Sequence, residues 1–377
     1  MNTRAPLKNP TPVYRDFLPG DEKPIADLYR AVFKKERTFP EWQWEFMDPP
    51  EGPANIRLIE MGGKVIGHIA LIPLRFQYLD REIIVGKSED SSLHPSYQGK
   101  RLFGKLEHGC FDTAAEKGVS VSYSISRTAR AVHLKAGYSP LRPMEGRFVP
   151  INPVKVTREL QKAMHLPPWA PVIMKPIMQY LAYRFKARLK RKVEYRTYRI
   201  AETDHFDSSF DTLWQKFTGQ HRLITIKRSS DYLSWRFLKN PNRRYRIFKA
   251  LFGHELVGYL VTTAVRRKGD FNADLTIGVT SDYLILDSHR EALAPLFDRA
   301  VQDWMSRSCD CVINWIHRES LHANIMLKQL DRYGFISMFG KFSIPISVRA
   351  LRDDVAMEDL KNGKNWYLTL AFSGRWA

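Results

Sequence analysis

The sequence predicts two domains of the same α/β class. Three observations support this prediction: a strand–loop–helix pattern in the first half, a return of the same landmarks in the second half, and a length of 377 residues. A chain of this length gives each of two domains an ample core. Hydrophobic residues make up 44% of the chain and charged residues 26%, as in an ordinary globular protein.

A strand, a loop and a helix follow one another between residues 82 and 114. A β-branched, charge-bearing run leads from Glu82 to Ser92, and a polar loop with Lys100 and Arg101 follows it. Apolar residues then recur at helical spacing, at Leu102, Phe103, Leu106, Cys110, Phe111 and Ala114. The loop would direct backbone N–H groups, the helix dipole and two cationic side chains at one point. That arrangement is a site for a phosphate or diphosphate group.

This loop resembles motif A of the GNAT acyltransferases, which reads (Gln/Arg)-x-x-Gly-x-(Gly/Ala). Gln98 fills the first position and Leu102 the aliphatic one, whereas Arg101 stands where the family has Gly and Phe103 where it has Gly or Ala. Three further stretches resemble the family in its order. They are the strand and helix that begin at residues 14–22, the glycine-turn hairpin at residues 62–70, and residues 133–138, which resemble the closing Tyr-x-Lys-Leu-Gly-Phe.

The resemblance implies an α/β (α+β) fold in which each domain is a mixed, mostly antiparallel sheet flanked by helices. It also implies acetyl-CoA or a longer acyl-CoA as the donor substrate, an amine as the acceptor, and no metal. Backbone N–H groups of Ser92, Leu93 and His94 would hold the thioester and the pantetheine arm, and the Ser126 hydroxyl would contact that arm. The residues expected around the diphosphate are Gln98, Gly99, Lys100, Arg101, Leu102, Phe103 and Gly104. Arg101 would either contact the phosphates or block the loop.

Acyl transfer from a thioester to an amine requires a base, a polarised carbonyl group and an acid for the leaving thiolate. Glu89 and Asp90 lie on the donor strand, and alternation of side chains directs one of them toward the cleft as the base. The alternative is a solvent-facing acid. His133 stands where the family has a general-acid tyrosine, and it is either a proton donor or a histidine satisfied within the core. Tyr138 and Tyr123 are the fallback donors.

The landmarks of the first half return in the second. Trp44 and Trp235 are each followed by phenylalanine two residues on and by glycine eighteen and twenty-three residues on. Asp27 and Asp211 begin similar upstream segments. These offsets predict a duplicated domain at residues 10–150 and 195–350, with a connector at 151–194 and a C-terminal extension at 351–377.

The two copies differ at the diphosphate loop. The second copy has residues 287–292, Asp-Ser-His-Arg-Glu-Ala, which lack glycine and add acidic side chains that would repel a diphosphate. We therefore expect a degenerate second domain that serves as a scaffold or a substrate wall.

The charge and the cysteines limit the possible partners and location. The net charge of +19 favours anionic partners such as CoA, nucleic acid, acidic polysaccharide or anionic lipid. Cys110, Cys309 and Cys311 show no spacing of a disulfide framework or a zinc site, which indicates a reducing compartment. No secretory signal precedes Tyr14, and no apolar run reaches ~18–20 residues. We expect a cytoplasmic protein that is peripheral to the inner membrane surface if it meets lipid.

The connector changes composition, since residues 173–192 are apolar and basic and contain no acid. From Pro176 they predict a helix with an apolar stripe and a cationic end. Such a helix would lie on an anionic membrane surface, bind nucleic-acid phosphates, or pack as an ordinary interdomain helix.

Three functions remain open from the sequence. The first is a tandem acyl-CoA-dependent N-acyltransferase, whose resemblance to bacterial proteins of cell-surface pathways implies an amino-sugar or lipid-linked amine as acceptor. The second is an aminoacyl-tRNA-dependent transferase of the FemABX type, which the net charge would suit. The third is a non-enzymatic binding module on an anionic surface.

Overall fold

The chain forms two compact units, each assembled from segments that are distant in sequence. A computed structural model describes residues 11–126, 130–189, 197–267, 274–338 and 343–373. Unit 1 consists of the described residues up to Arg75, residues 83–140 and residues 347–361. Unit 2 consists of residues 76–82, residues 141–346 and the residues from Asn362 onward.

Strands and helices are interspersed along the described residues. The strands are β1 Val13–Asp16, β2 Asn55–Met61, β3 Lys64–Leu79, β4 Arg81–Leu93, β5 Val119–Ser124, β6 Ser139–Pro140, β7 Glu145–Pro150, β8 Arg199–Thr203, β9 Leu223–Ile226, β10 Tyr245–Phe252, β11 Glu255–Arg267, β12 Leu275–Ile285, β13 Cys311–Ile316, β14 Ile336–Ser337 and β15 Ser347–Ala350. The helices are α1 Glu22–Phe33, α2 Phe39–Trp42, α3 Leu102–Glu116, α4 Arg130–Lys135, α5 Pro153–Ala163, α6 Ala170–Leu189, α7 Ser208–Thr218, α8 Ser230–Leu233, α9 Leu293–Ser306, α10 Ala323–Arg332 and α11 Met357–Lys361.

Unit 1 is built on a mixed sheet with the order β1-β2-β3-β4-β5-β15-β6. β4 and β5 run parallel, whereas β1–β2, β2–β3, β5–β15 and β15–β6 are antiparallel pairs. The predicted hairpin between β2 and β3 turns at Gly62 and Gly63, which both have positive φ angles. One face of the sheet buries the apolar stripe of α3 at Leu106, Cys110 and Phe111. The periodic segment predicted from the sequence is therefore the helix that follows the loop.

Unit 2 repeats this plan, with the order β14-β7-β13-β12-β11-β10-β8 and a parallel pair at β12–β13. The far end of β3, at residues 76–79, belongs to this unit and pairs with β9. The mixed, mostly antiparallel sheets and the flanking helices agree with the predicted fold class.

The two copies of the repeat exchange strands. β7 comes from the end of the first copy but pairs with β13 in unit 2. β15 comes from the end of the second copy but lies between β5 and β6 in unit 1. The units are therefore discontinuous, whereas the boundaries read along the sequence at 10–150 and 195–350 are continuous. A strand pairs through its backbone, so its residues do not reveal which copy supplies its neighbour.

The connector segment belongs to unit 2 as α5 and α6. Helix α6 begins at Ala170 and contains Pro176, whereas the sequence predicted a start at that proline. Residues 190–192, the end of the predicted basic segment, lie outside the described residues. Among the described helices, none combines the length and the apolar character that a membrane crossing requires.

Candidate functional site

The loop between β4 and α3 is held to the sheet by local hydrogen bonds. The His94 N–H donates to the Ile66 carbonyl at 2.8 Å, and a short turn at Pro95–Tyr97 follows. The Gln98 side-chain amide donates to the Leu93 carbonyl at 3.2 Å. Gln98 thus ties the loop to the end of the strand.

Two residues of the loop adopt left-handed backbone conformations. Gly99 has φ +78° and Arg101, the residue before α3, has φ +58°. Glycine adopts this region without strain, whereas an L side chain costs roughly 1–2 kcal/mol there. Arg101 therefore has a backbone conformation that glycine would adopt without strain, and its side chain is exposed.

The surface of the loop is open and cationic. A Cβ atom added at Gly99 or Gly104 would meet no atom within 4 Å, so the backbone is accessible at both positions. Lys100 Nζ lies 5.0 Å from the centre of the Tyr97 ring. Among the described residues, neither Lys100 nor Arg101 has an acidic partner. These groups meet at the N-terminus of α3, where the helix dipole also favours an anion.

The two apolar residues at the start of α3 do not fill the loop. Leu102 and Phe103 are half-buried and pack against the core of unit 1. Phe103, at the position of a small residue in the family motif, thus directs its ring toward the core. The Tyr14 hydroxyl donates to the Leu102 carbonyl at 3.2 Å and fixes this turn.

Strand β4 extends beyond the end of its pairing with β5. The parallel pairing described for these strands ends at Ser88 and Ser124, five residues before β4 ends at Leu93. Asp90 has φ +50°, which interrupts the regular strand just after this point. Ser92 and Leu93 are buried along this stretch, and His94 is half-buried. Ser126 lies two residues beyond the end of β5 and is also half-buried.

Both candidate bases are held in ion pairs. Asp90 pairs with Arg37, which also contacts Glu45 at 3.1 Å. Lys87 lies 3.4 Å from Glu45 and 2.5 Å from Glu89. Burial opposes the charge of Arg37, but Asp90 and Glu45 outweigh it and raise the pKa of this guanidinium. The result is one buried network of three carboxylates and two cations.

A cavity of about 340 Å³ adjoins this network in unit 1. Its walls include Tyr29, Arg37 and Trp42 from the α1–α2 region and Asp90 from β4. Of the two candidate bases, Asp90 lines this cavity and Glu89 does not. Cationic, anionic and aromatic groups thus meet around a space large enough for a small polar group.

His68 lies behind Asp90. Its Nδ1 is 3.1 Å from the Asp90 carbonyl oxygen, and burial lowers its pKa to about 4. Arg37, Glu45 and His68 belong to no motif that predicts a site from the sequence. The only local signal was position, since Glu45 follows the repeated Trp44 and His68 follows the repeated Gly67.

His133 faces the interior of unit 1. Its Nε2 lies 3.1 Å from Ser124 Oγ, and its Nδ1 lies 3.6 Å from Glu107 Oε1. Burial lowers the pKa of His133 to about 4 and raises that of Glu107 to about 7. Tyr138 is also buried and shares a 2.6 Å hydrogen bond with Ser122. Burial raises the pKa of the Tyr138 hydroxyl. His133 thus has the geometry of a histidine satisfied within the core, although Ser124 links it to the end of β5, where the pairing with β4 also ends.

Comparison with known proteins agrees with this fold. Residues 14–141 match the family model described as an acetyltransferase (GNAT) domain. No curated protein matches the sequence. A GCN5-related N-acetyltransferase from Anabaena variabilis is similar in structure, with a TM-score of 0.59 and 13% identity over 91% of this chain and 73% of that one.

Two further structures show the same arrangement. Saccharomyces cerevisiae N-myristoyltransferase, solved with bound myristoyl-CoA, gives a TM-score of 0.58 and 11% identity over 91% of this chain and 82% of that one. A tandem GNAT protein from the clavulanic acid biosynthesis pathway gives a TM-score of 0.55 and 10% identity over 92% of this chain and 100% of that one. Residues 14–141 therefore match a GNAT acetyltransferase domain, and the chain as a whole has the fold of a tandem GNAT protein.

Proposed function

We propose that this protein is an N-acyltransferase that takes an acyl group from acyl-CoA, bound by unit 1, and transfers it to an amine. The observation that carries the proposal is the junction of β4 and α3. There, the free end of β4, two left-handed loop residues and a cationic helix N-terminus come together. Each of these features suits one part of a CoA thioester.

The diphosphate belongs at the loop. Backbone N–H groups near Gly99 and Gly104 are open to it, and Lys100 and Arg101 supply positive charge. The pantetheine arm and the thioester belong along residues 92–94, where β4 has no described partner in β5. Ser126 lies close enough to the end of β5 in sequence to contact the same arm.

The acceptor amine belongs in the cavity beside Asp90. We propose that Asp90 takes the proton of the ammonium group, directly or through water, while Arg37 holds the carboxylate in place. The amine nitrogen then attacks the thioester carbon, the C–S bond breaks and an amide forms. Glu89 remains a positioning residue through its 2.5 Å ion pair with Lys87.

The leaving thiolate needs a proton. Glu107, His133 and Ser124 form a buried row that ends at the last residue of β5, and Tyr138 packs against the His133 ring at 4.8 Å. With the pKa of Glu107 raised to about 7 by burial, this row holds a proton near neutral pH. We propose that His133 passes it to the thiolate, with Tyr138 as the fallback donor.

The second copy has the same fold, and we propose that it binds no CoA. The segment that follows β12 begins with Asp287, which pairs with Arg290 at 2.6 Å. A carboxylate at this point repels a diphosphate, in contrast to the cationic loop that follows β4.

We also propose that the enzyme works on an anionic lipid surface, which suits a lipid-linked amine as acceptor. Helix α6 buries Met178, Leu181 and Phe185 within unit 2 but exposes a second apolar face. That face comprises Val172, Ile173, Ile177, Tyr180 and Tyr183, and Trp169 lies just before the helix; each of them is at least 51% exposed. Lys175, Arg184 and Lys186 are exposed on the same helix, which contains no acid.

This surface has the composition of an interfacial helix, with apolar and aromatic groups flanked by cations. Each basic side chain near an anionic headgroup layer adds roughly 1 kcal/mol. The location proposed is cytoplasmic and peripheral to the membrane. The three buried free thiols and the use of acyl-CoA both suit that location.

The donor proposal is tested by calorimetric titration with acetyl-CoA and longer acyl-CoAs. We expect Gly99→Leu with Lys100→Glu to weaken binding more than about tenfold, or 1.4 kcal/mol. The matched control is Gly63→Leu with Lys64→Glu, because Gly63 has a similar φ of +74° and equal free space in the β2–β3 turn. The donor site is refuted if both double variants lose the same affinity for acyl-CoA, or if the Gly99–Lys100 variant loses none.

The same titration with tRNA separates the alternatives. The protein would be a FemABX-like transferase if it binds aminoacyl-tRNA, transfers the aminoacyl group and does not bind acyl-CoA. Binding to anionic vesicles without any transfer would establish the binding module.

The surface proposal is tested by co-sedimentation with anionic and neutral vesicles. We expect binding to anionic vesicles that fades between 0.1 and 1 M salt, as the Debye length falls from ~10 to ~3 Å. Replacing Lys175, Arg184 and Lys186 by Gln should weaken it by roughly 3 kcal/mol. Arg188 is left intact because it lies over the Tyr333 ring at 5.6 Å.

The control variant is Leu238→Ser with Lys239→Gln, an exposed apolar–basic pair elsewhere in unit 2. It should bind vesicles as the wild type does. A wild-type protein that ignores anionic vesicles at low salt refutes the surface proposal and leaves the donor site untouched.

A further inference from the structure

Two histidines and an aspartate converge in unit 2, in segments that the acyl transfer does not use. His221 follows α7, Asp287 follows β12, and His322 precedes α10. One ligand atom from each residue lies within 4.8 Å of the other two. His322 Nε2 is 2.6 Å from Asp287 Oδ1, and His221 Nε2 is 3.5 Å from the same oxygen.

The two rings are held in place by their surroundings. The His322 side chain is 2% exposed and the His221 side chain 13% exposed. The Phe217 ring packs against both, at 5.0 Å from His221 and 6.0 Å from His322. His221 Nε2 is buried and has no hydrogen-bond partner among the described residues. A buried imidazole nitrogen that points at a carboxylate without a hydrogen bond to it is available as a metal ligand.

The ligand types also suit a metal ion. Imidazole nitrogen and carboxylate oxygen are both donors that zinc accepts in proteins.

The two spacings that involve Asp287 are close to those of a zinc site. Zinc binds nitrogen and oxygen ligands at about 2.0–2.2 Å, so donor atoms of a tetrahedral site are roughly 3.3 Å apart. The His221–Asp287 distance of 3.5 Å already meets this value. The His322–Asp287 distance of 2.6 Å would open by about 0.7 Å as the ion replaces the hydrogen bond.

We infer that His221, Asp287 and His322 form a Zn²⁺ site in the second domain, with the fourth position open to water. Two imidazoles and one carboxylate favour zinc over calcium or magnesium, which prefer oxygen ligands alone. The site joins three segments of unit 2 and occupies the place where the first copy has its diphosphate loop. It is independent of the proposed transferase activity.

The test uses the full-length protein, stripped with a chelator and titrated with Zn²⁺ by calorimetry and with Co²⁺ by visible absorption. We expect one equivalent of zinc per chain and the d–d bands of a low-symmetry Co²⁺ site. His221→Gln and His322→Asn should each weaken binding more than about tenfold. Asparagine is chosen at position 322 because the backbone there is left-handed, with φ +64°.

The matched control is His205→Gln, which removes an exposed histidine beside Asp204 and Asp207 in the same unit. It should bind zinc as the wild type does. The inference is overturned if the stripped protein binds no zinc, or if His205→Gln weakens binding as much as His221→Gln. The His221 variant covers the case in which the more buried His322 variant does not fold.

Discussion

Arg101 provides a direct test of how the loop is built, because its backbone and its side chain have separable effects. The backbone has φ +58° and the guanidinium is exposed at the N-terminus of α3. We compare Arg101→Ala with Arg101→Gly. Both remove the charge, but only glycine removes the left-handed strain.

The expected difference in stability follows from that φ angle. A left-handed L residue costs roughly 1–2 kcal/mol, and glycine avoids this cost. Glycine also has greater conformational freedom in the unfolded chain, which lowers the free energy of unfolding by about 0.4–1 kcal/mol. Arg101→Gly should therefore be more stable than Arg101→Ala by about 0.5–1 kcal/mol. Urea unfolding monitored by the fluorescence of the intact chain measures this difference.

The expected effect on binding follows from the charge. Both variants should lose affinity for acyl-CoA equally, by about tenfold or 1.4 kcal/mol, and the loss should shrink as salt is added. Equal stability of the two variants would show that the backbone is not strained. An Arg101→Gly variant that binds acyl-CoA more tightly than the wild type would show that the side chain blocks the loop.

Three further outcomes are expected. Asp90→Asn should lower the rate of acyl transfer at least about a hundredfold while acyl-CoA affinity by calorimetry is kept, and an undiminished rate would exclude Asp90 as the base. Burial raises the folded pKa of Glu107 to about 7 from 4.5, so wild-type stability should fall as pH rises through this window. The free energy of unfolding of Glu107→Gln minus that of the wild type should therefore be about 3 kcal/mol larger at pH 8 than at pH 4, as measured by urea unfolding. The same difference at both pH values would contradict the burial of Glu107. A fragment of residues 11–141 lacks β15 between β5 and β6, so it should show no cooperative unfolding by circular dichroism, and a sharp transition would contradict the strand exchange.

Local patterns predicted local structure well. The periodicity of Leu106, Cys110 and Phe111 gave the helix, and the Gly62-Gly63 pair gave the hairpin turn. The repeat offsets indicated a second domain of the same plan. Each of these features depends on residues that are close in sequence, so propensity and spacing are sufficient to recognise them.

Long-range pairing was not predictable in the same way. Arg37 and Asp90 are 53 residues apart and become one ion pair only after β4 packs near the α1–α2 segment. The sequence predicted a single apolar stripe on helix α6. The structure has two, because the helix is apolar on both its buried and its exposed face. The donor loop was recognisable because its chemistry is contiguous, whereas the acceptor cavity is assembled from separate segments.

The two copies place related chemistry at related points of the fold. Asp27 and Asp211 align the first helices of the copies, and the same offset pairs Arg37 with His221. Arg37 contacts the carboxylate of Asp90 near the end of β4, and His221 lies 3.5 Å from the carboxylate of Asp287 just after β12. β4 and β12 each pair in parallel with the strand that follows in their copy. In both copies, then, the segment after the first helix brings a basic nitrogen to a carboxylate at the end of this strand. In the first copy, a guanidinium has no lone pair to offer a metal ion, so it only holds the carboxylate beside the cavity. In the second copy, a neutral imidazole has a free lone pair, so the imidazole and the carboxylate can bind a metal ion together.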